Sequence, residues 1–176
     1  MSALSVLYIV LPILAVSFCH ALEVVFTARR WASHHSASSD EAHQSLVNIL
    51  FRLSGMNMSA LVIAAVVGFL AVLLSTAALF AGGLWAELVW TTVFMAYSVC
   101  SLINIVRAVT LKGYVPGLVT SIISVPLIAY TAYSLSLVWP WWGMLLFVIL
   151  GLVLALANLY FAQCIGQRQT FNSTKN

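Results

Sequence analysis

Five long apolar runs constrain this chain more than any other feature. They cover about residues 3–27, 58–80, 84–109, 117–139 and 143–163, and each is near the roughly 20 residues a helix needs to cross a bilayer. In hydrocarbon every backbone N–H and C=O must find its partner within the protein, which leaves only helices and closed barrels. These runs are continuous rather than alternating, so a barrel is excluded. The composition agrees: 63% of the 176 residues are hydrophobic and 6% are charged, with a mean hydropathy of +1.08. A soluble domain carries about 25% charged residues. The expected fold is therefore all-α: a polytopic membrane bundle of five transmembrane helices, forming one domain over residues 1–165 with a flexible polar tail at 166–176.

The breaks between runs have local causes. Gly82-Gly83 ends the second, Lys112-Gly113-Tyr114-Val115-Pro116-Gly117 makes a turn after the third, and Trp139-Pro140 joins the fourth to the fifth. Pro12 and Pro126 lie inside runs, where they loosen a helical hydrogen bond without ending the span. Residues 1–7 carry no Lys or Arg, and Val16-Ser17-Phe18-Cys19 has Phe where lipoprotein cleavage needs a small residue, so the first run is expected to persist as a span. Residues 32–40, with His34-His35 and several serines, read as a solvated surface loop. Ser38 and Glu41 then have capping-box spacing, and a short amphipathic helix at about 40–53 is expected to lie in the membrane interface.

Seven Lys and Arg residues set the orientation. Arg29, Arg30 and Arg52 fall in the first loop, Arg107 and Lys112 at the third, and Arg168 and Lys175 in the tail. All share one side if the N-terminus is outside and the C-terminus inside. No basic cluster exceeds two residues, which removes nucleic acid as a partner. Cys19, Cys100 and Cys164 are dispersed, without C-x-x-C spacing, and read as packed membrane thiols. The bilayer is the one partner the composition demands.

Polar residues inside such runs are costly, by about 3 kcal/mol for an ionised side chain at the bilayer centre, and by default they mark function. His20 and Glu23 are three apart and share a helix face. On the 1.5 Å helical rise they lie in the cytoplasmic half of the first span. Asn104 and Arg107 repeat that spacing near the cytoplasmic end of the third, Thr120, Ser121 and Ser124 sit at that depth in the fourth, and Asn158 in the fifth. Four spans thus bring hydrogen-bonding groups to one level, as a pocket open to the cytoplasm would require. The bland alternatives are a snorkelling Arg107, interhelical bonds from Asn104 and Asn158, and a Glu23 paired with Arg107 that only fixes helix register. Metal ligation is the weaker chemistry for His20 and Glu23, because the later spans contain no His and Glu87 lies at the opposite face. Proton handling or polar binding is the stronger, and no cofactor is indicated.

Two stretches resemble a known family. Cys19-His20-Ala21-Leu22-Glu23-Val24 running into Arg29-Arg30-Trp31 is similar to the defining motif of the bacterial HXXEE-domain membrane proteins. Asn104, Arg107 and Tyr114-Val115-Pro116-Gly117-Leu118-Val119-Thr120, followed by Pro126, resemble that family's later segment. Val24 stands where the motif has its second Glu, and no His accompanies Arg107. The resemblance implies a multi-pass inner-membrane protein and brings no biochemical function with it. The resulting expectation is a membrane protein that binds or processes a small molecule or lipid in a cytoplasm-facing pocket. His20 and Glu23 would handle protons, and Asn104, Arg107, Tyr114, Thr120 and Asn158 would bind. The competing class is a non-catalytic scaffold or partner subunit in which the same residues lock helices together. Ion or solute transport would want polar groups continuing to the outer face. Glu23→Gln, taken as preserving shape and hydrogen bonding, should separate the first two classes.

Overall fold

The structure, a computed structural model, describes residues 3–35, 58–110 and 112–173. It is all-helical: α1 spans Ala3–His35, α2 Met58–Ala81, α3 Leu84–Thr110, α4 Leu118–Ser136 and α5 Trp141–Ser173. Each contains a segment long and apolar enough to cross a membrane: Tyr8–Ala28, Ser59–Ala81, Leu84–Thr110, Leu118–Ser136 and Trp141–Gly166. The outward faces carry Leu74, Phe26, Leu145, Ile149 and Val153, an apolar exterior suited to lipid and to nothing aqueous. The chain is a multi-pass membrane protein.

Two expectations need correction. α1 continues through Ala32–His35, where a loop was expected, and α5 continues to Ser173 through most of the expected tail. Each of these helices has 33 residues, a length of about 50 Å against a hydrocarbon core of about 30 Å. Once the apolar part has crossed, nothing in either polar extension stops the helix: neither contains a Pro, and Gly166 sits against α2. The helix expected near 40–53 lies outside the described residues. Pro12 and Pro126 are accommodated within unbroken helices.

α1, α2, α3 and α4 form a ring in which each packs on the next and α4 returns to α1. α5 lies along the seam between α2 and α3. Small residues allow the closest approaches. A Cβ on Gly151 of α5 would stand 2.7 Å from Ala96 N and 2.8 Å from Met95 C on α3, and one on Gly166 would stand 3.0 Å from Ala60 Cβ on α2. Without a hydrophobic force between helices in lipid, such contact is what holds them.

The two ends of the bundle differ. One end is a dry core of Ile9, Val10, Ile13, Val72, Trp90, Phe94, Met95, Leu135 and Phe147. There Trp90 and Phe94 stack with centroids 5.6 Å apart, and Trp90 Nε1 donates to Thr76 Oγ1 at 3.3 Å. The other end, where the α3–α4 turn lies, holds His20, Glu23, Asn104, Arg107, Thr120 and Asn158.

Candidate functional site

The turn between α3 and α4 builds the site. Lys112 and Gly117 both take positive φ, 48° and 86°, and Val115, Pro116 and Gly117 are buried. Gly117 is the N-cap of α4 and offers no side chain to the first turn. The missing cap comes from another helix. Glu23 Oε1 accepts from Val119 N at 3.1 Å, and Oε2 accepts from Thr120 N at 2.8 Å. These are the second and third helical N–H groups, which an N-cap side chain normally takes. The positive end of the α4 dipole favours the carboxylate there.

Two hydroxyls complete the shell around Glu23. Tyr114 Oη donates to Oε1 at 2.6 Å and Thr120 Oγ1 to Oε2 at 2.7 Å. Four donors on two oxygens suit a carboxylate, which only accepts. This corrects the expectation that Glu23→Gln preserves hydrogen bonding. Whichever position the amide nitrogen took, its N–H groups would face a backbone N–H.

Tyr114, in the turn outside the spans, has its pKa pushed up, first by burial and then by the hydrogen bond to Glu23 and the charge of that group. It remains the donor of the pair through neutral and mildly alkaline pH.

His20 connects the cap to the bundle interior. Its Nδ1 lies 2.9 Å from Thr120 Oγ1. The single Thr120 proton has two acceptors, Glu23 Oε2 at 2.7 Å and Gly117 O at 3.3 Å, and the shorter bond to the charged group prevails. Nδ1 then donates to Thr120, giving a chain His20 Nδ1–H to Thr120 O–H to Glu23 carboxylate. The imidazole is oriented by this bond, by an edge-to-face contact with Tyr97 at 6.1 Å, and by Gly117, which it approaches through Cε1. A Cβ on Gly117 would run into His20 Cε1, with Nδ1 and Nε2 each at 3.1 Å.

Beyond His20 the helices leave a half-open cavity of about 190 Å³. Ser17, His20 and Val24 of α1, Gly68 and Phe69 of α2, Tyr97, Cys100, Asn104 and Arg107 of α3, and Asn158 of α5 contribute to its wall. Among the described residues, Arg107 Nε and Nη2 are buried without a hydrogen-bond partner, and so is Asn158 Oδ1. Asn158 Nδ2 donates to Ala64 O at 3.0 Å, crossing from α5 to α2. Asn104 Nδ2 reaches Ser121 Oγ at 3.5 Å, while Ser121 and Ser124 spend their protons on Gly117 O and Ser121 O.

The seven residues singled out from sequence therefore fall into two sets. Glu23, Tyr114 and Thr120 cap α4, whereas Asn104, Arg107 and Asn158 line the cavity, and His20 belongs to both. Glu23 does not pair with Arg107; among the described residues no acid does. Sequence reasoning missed Tyr97 and Cys100, although Tyr97, Cys100, Asn104 and Arg107 follow the three-four-three spacing of one helix face. It also missed Ser17, three residues before His20 on the same face.

A model of the family described as a protein of unknown function with HXXEE motif matches residues 11–132 of the chain. Nothing among curated proteins or solved structures matches it. The matched stretch holds both sides of the Glu23 cap, and α5 with Asn158 lies beyond it.

Proposed function

The chain belongs to the HXXEE family, and from that premise we propose that it is an inner-membrane protein, N-terminus outside and C-terminus inside, whose cavity binds or processes a small molecule or lipid entering from the cytoplasmic side. The observation that carries this reading is Arg107, which lines the cavity and has two buried guanidinium nitrogens without a hydrogen-bond partner among the described residues. Buried polar groups lacking partners are rare because each costs about 1 to 3 kcal/mol, more when charged. A cation held this way in a membrane helix is explained by a ligand that completes it. Asn158 Oδ1, unpartnered on the same wall, supports the reading from a second helix.

The roles divide accordingly. Glu23, Tyr114 and Thr120 are positioning residues that fix α4 and orient His20, whose ring then presents Nε2 as its acceptor. His20, Asn104, Arg107 and Asn158 are the groups placed to meet a ligand. The scaffold reading has its own support in the Glu23 cap, which locks α1 to α4, but it leaves the orphaned guanidinium without a purpose.

Cys100 tests the pocket, because it lies on the cavity wall while Cys19 and Cys164 are exposed on the outside. In a Cys19→Ser, Cys164→Ser background, a membrane-impermeant anionic thiosulfonate should modify Cys100 in inside-out vesicles and not in right-side-out ones. Modification only in right-side-out vesicles would reverse the orientation. A Cys100 unreactive in both, at neutral and at alkaline pH, would remove the water-accessible pocket.

A further inference from the structure

Resting on the pocket reading, we propose the chemical class of the ligand: an amphiphile with an apolar chain, a monoanionic head and a hydroxyl. Three properties of the cavity define this class. Among the described residues its wall offers one fixed cation, Arg107, and the carboxylate of Glu23, outside that wall, is already saturated by four donors, so a single negative charge balances the site. The two orphaned guanidinium nitrogens, Nε and Nη2, form the edge that grips two oxygens of one carboxylate or phosphodiester side by side. Asn158 Oδ1 is an acceptor with its own amide nitrogen committed to Ala64 O. An anion cannot satisfy that acceptor; a ligand O–H can.

The remainder of the wall sets the body of the ligand. Leu61, Ala65, Phe69, Val72, Leu154 and Leu159 are apolar and line the same space. At about 190 Å³ the cavity exceeds the roughly 150 Å³ that holds benzene in a dry protein interior. It accepts a head and several methylenes. A free hydroxy acid and a membrane glycerol phosphodiester share this chemistry.

Thermal unfolding in phosphatidylcholine nanodiscs tests the assignment, with octanol, octanoate and 3-hydroxyoctanoate as probes and nanodiscs doped with phosphatidylglycerol as a separate arm. The protein should be stabilised by octanoate, should bind 3-hydroxyoctanoate about threefold to tenfold more tightly, the worth of one added hydrogen bond, and should not respond to octanol. Arg107→Met should lose about tenfold or more of the affinity for both acids, and Asn158→Leu should remove the advantage of the hydroxyl. Stabilisation by phosphatidylglycerol that is lost in Arg107→Met would identify a lipid as the source; stabilisation by the hydroxy acid alone would identify a free acid. If octanol stabilises as well as the acids and Arg107→Met responds unchanged, the ligand class is overturned while the pocket stands. If no probe or lipid shifts unfolding, and Cys100 is unreactive from either face, both fall.

Discussion

Glu23 is the residue on which the polar end of the bundle turns, and its role is decided by what its two oxygens touch. As the cap of α4 it satisfies two backbone N–H groups that Gly117 leaves without a side-chain partner, a contribution of about 1 kcal/mol. Glu23→Gln is therefore expected to lower the unfolding temperature even though it preserves shape, because one amide N–H must oppose Val119 N or Thr120 N. An unchanged unfolding temperature would show that the cap is not what the carboxylate is for. Tyr114 adds a pH dependence of known sign. Its pKa in the fold is raised above the usual value of about 10, so its contribution is fully present below pH about 10 and declines as pH rises through the raised value. The unfolding temperatures of the wild type and Tyr114→Phe should differ by a constant amount from neutral pH to about 10 and converge above it; a difference that persists unchanged well above that pH would contradict the assignment.

At the level of elements, the α3–α4 turn and the α3–α5 contact are the places where one methyl group decides packing. Gly117 and Gly82 both hold φ near +80°, at 86° and 81°. An alanine in that region costs about 1 to 2 kcal/mol at either position. Gly82 has nothing within 4 Å of its missing Cβ, whereas Gly117 has the His20 ring. Gly117→Ala should thus destabilise clearly more than Gly82→Ala in paired thermal denaturations, and equal losses would mean His20 moves freely. Gly151→Ala presses a methyl onto backbone atoms of α3 that cannot rotate away. A cost of about 1 to 3 kcal/mol is expected, readable as a lower unfolding temperature.

Over the whole molecule, the sequence foretold what depends on patterns of side-chain type and left obscure what depends on the backbone. The five spans, the breaks at Gly82-Gly83 and after Thr110, and the shared face of His20 and Glu23 follow from hydropathy, helix breakers and a spacing of three. That Tyr114, Thr120 and Glu23 come together could be suspected from depth. That Glu23 binds the amides of Val119 and Thr120 could not, since every residue but proline carries that donor. A pocket could be expected from the polar residues that four spans bring to one level, but its apolar lining could not: Gly68, Phe69 and Leu154 look the same whether they face lipid or an internal space, so hydropathy cannot tell the two apart. The extension of α1 and α5 beyond their apolar parts was missed because polar sequence was read as loop, whereas a helix already nucleated in the membrane continues at little cost.

The central claim is that the protein keeps a half-buried, unpaired cation in the last turn of α3 for a ligand and not for its fold. Arg107→Met addresses this without knowledge of the ligand, by chemical or thermal unfolding in phosphatidylcholine nanodiscs. Methionine has a comparable length and no charge to desolvate, so the ligand-free protein should become more stable by about 1 kcal/mol or more. A loss of stability of that size would contradict the account, because it would show Arg107 to be a partner in the fold.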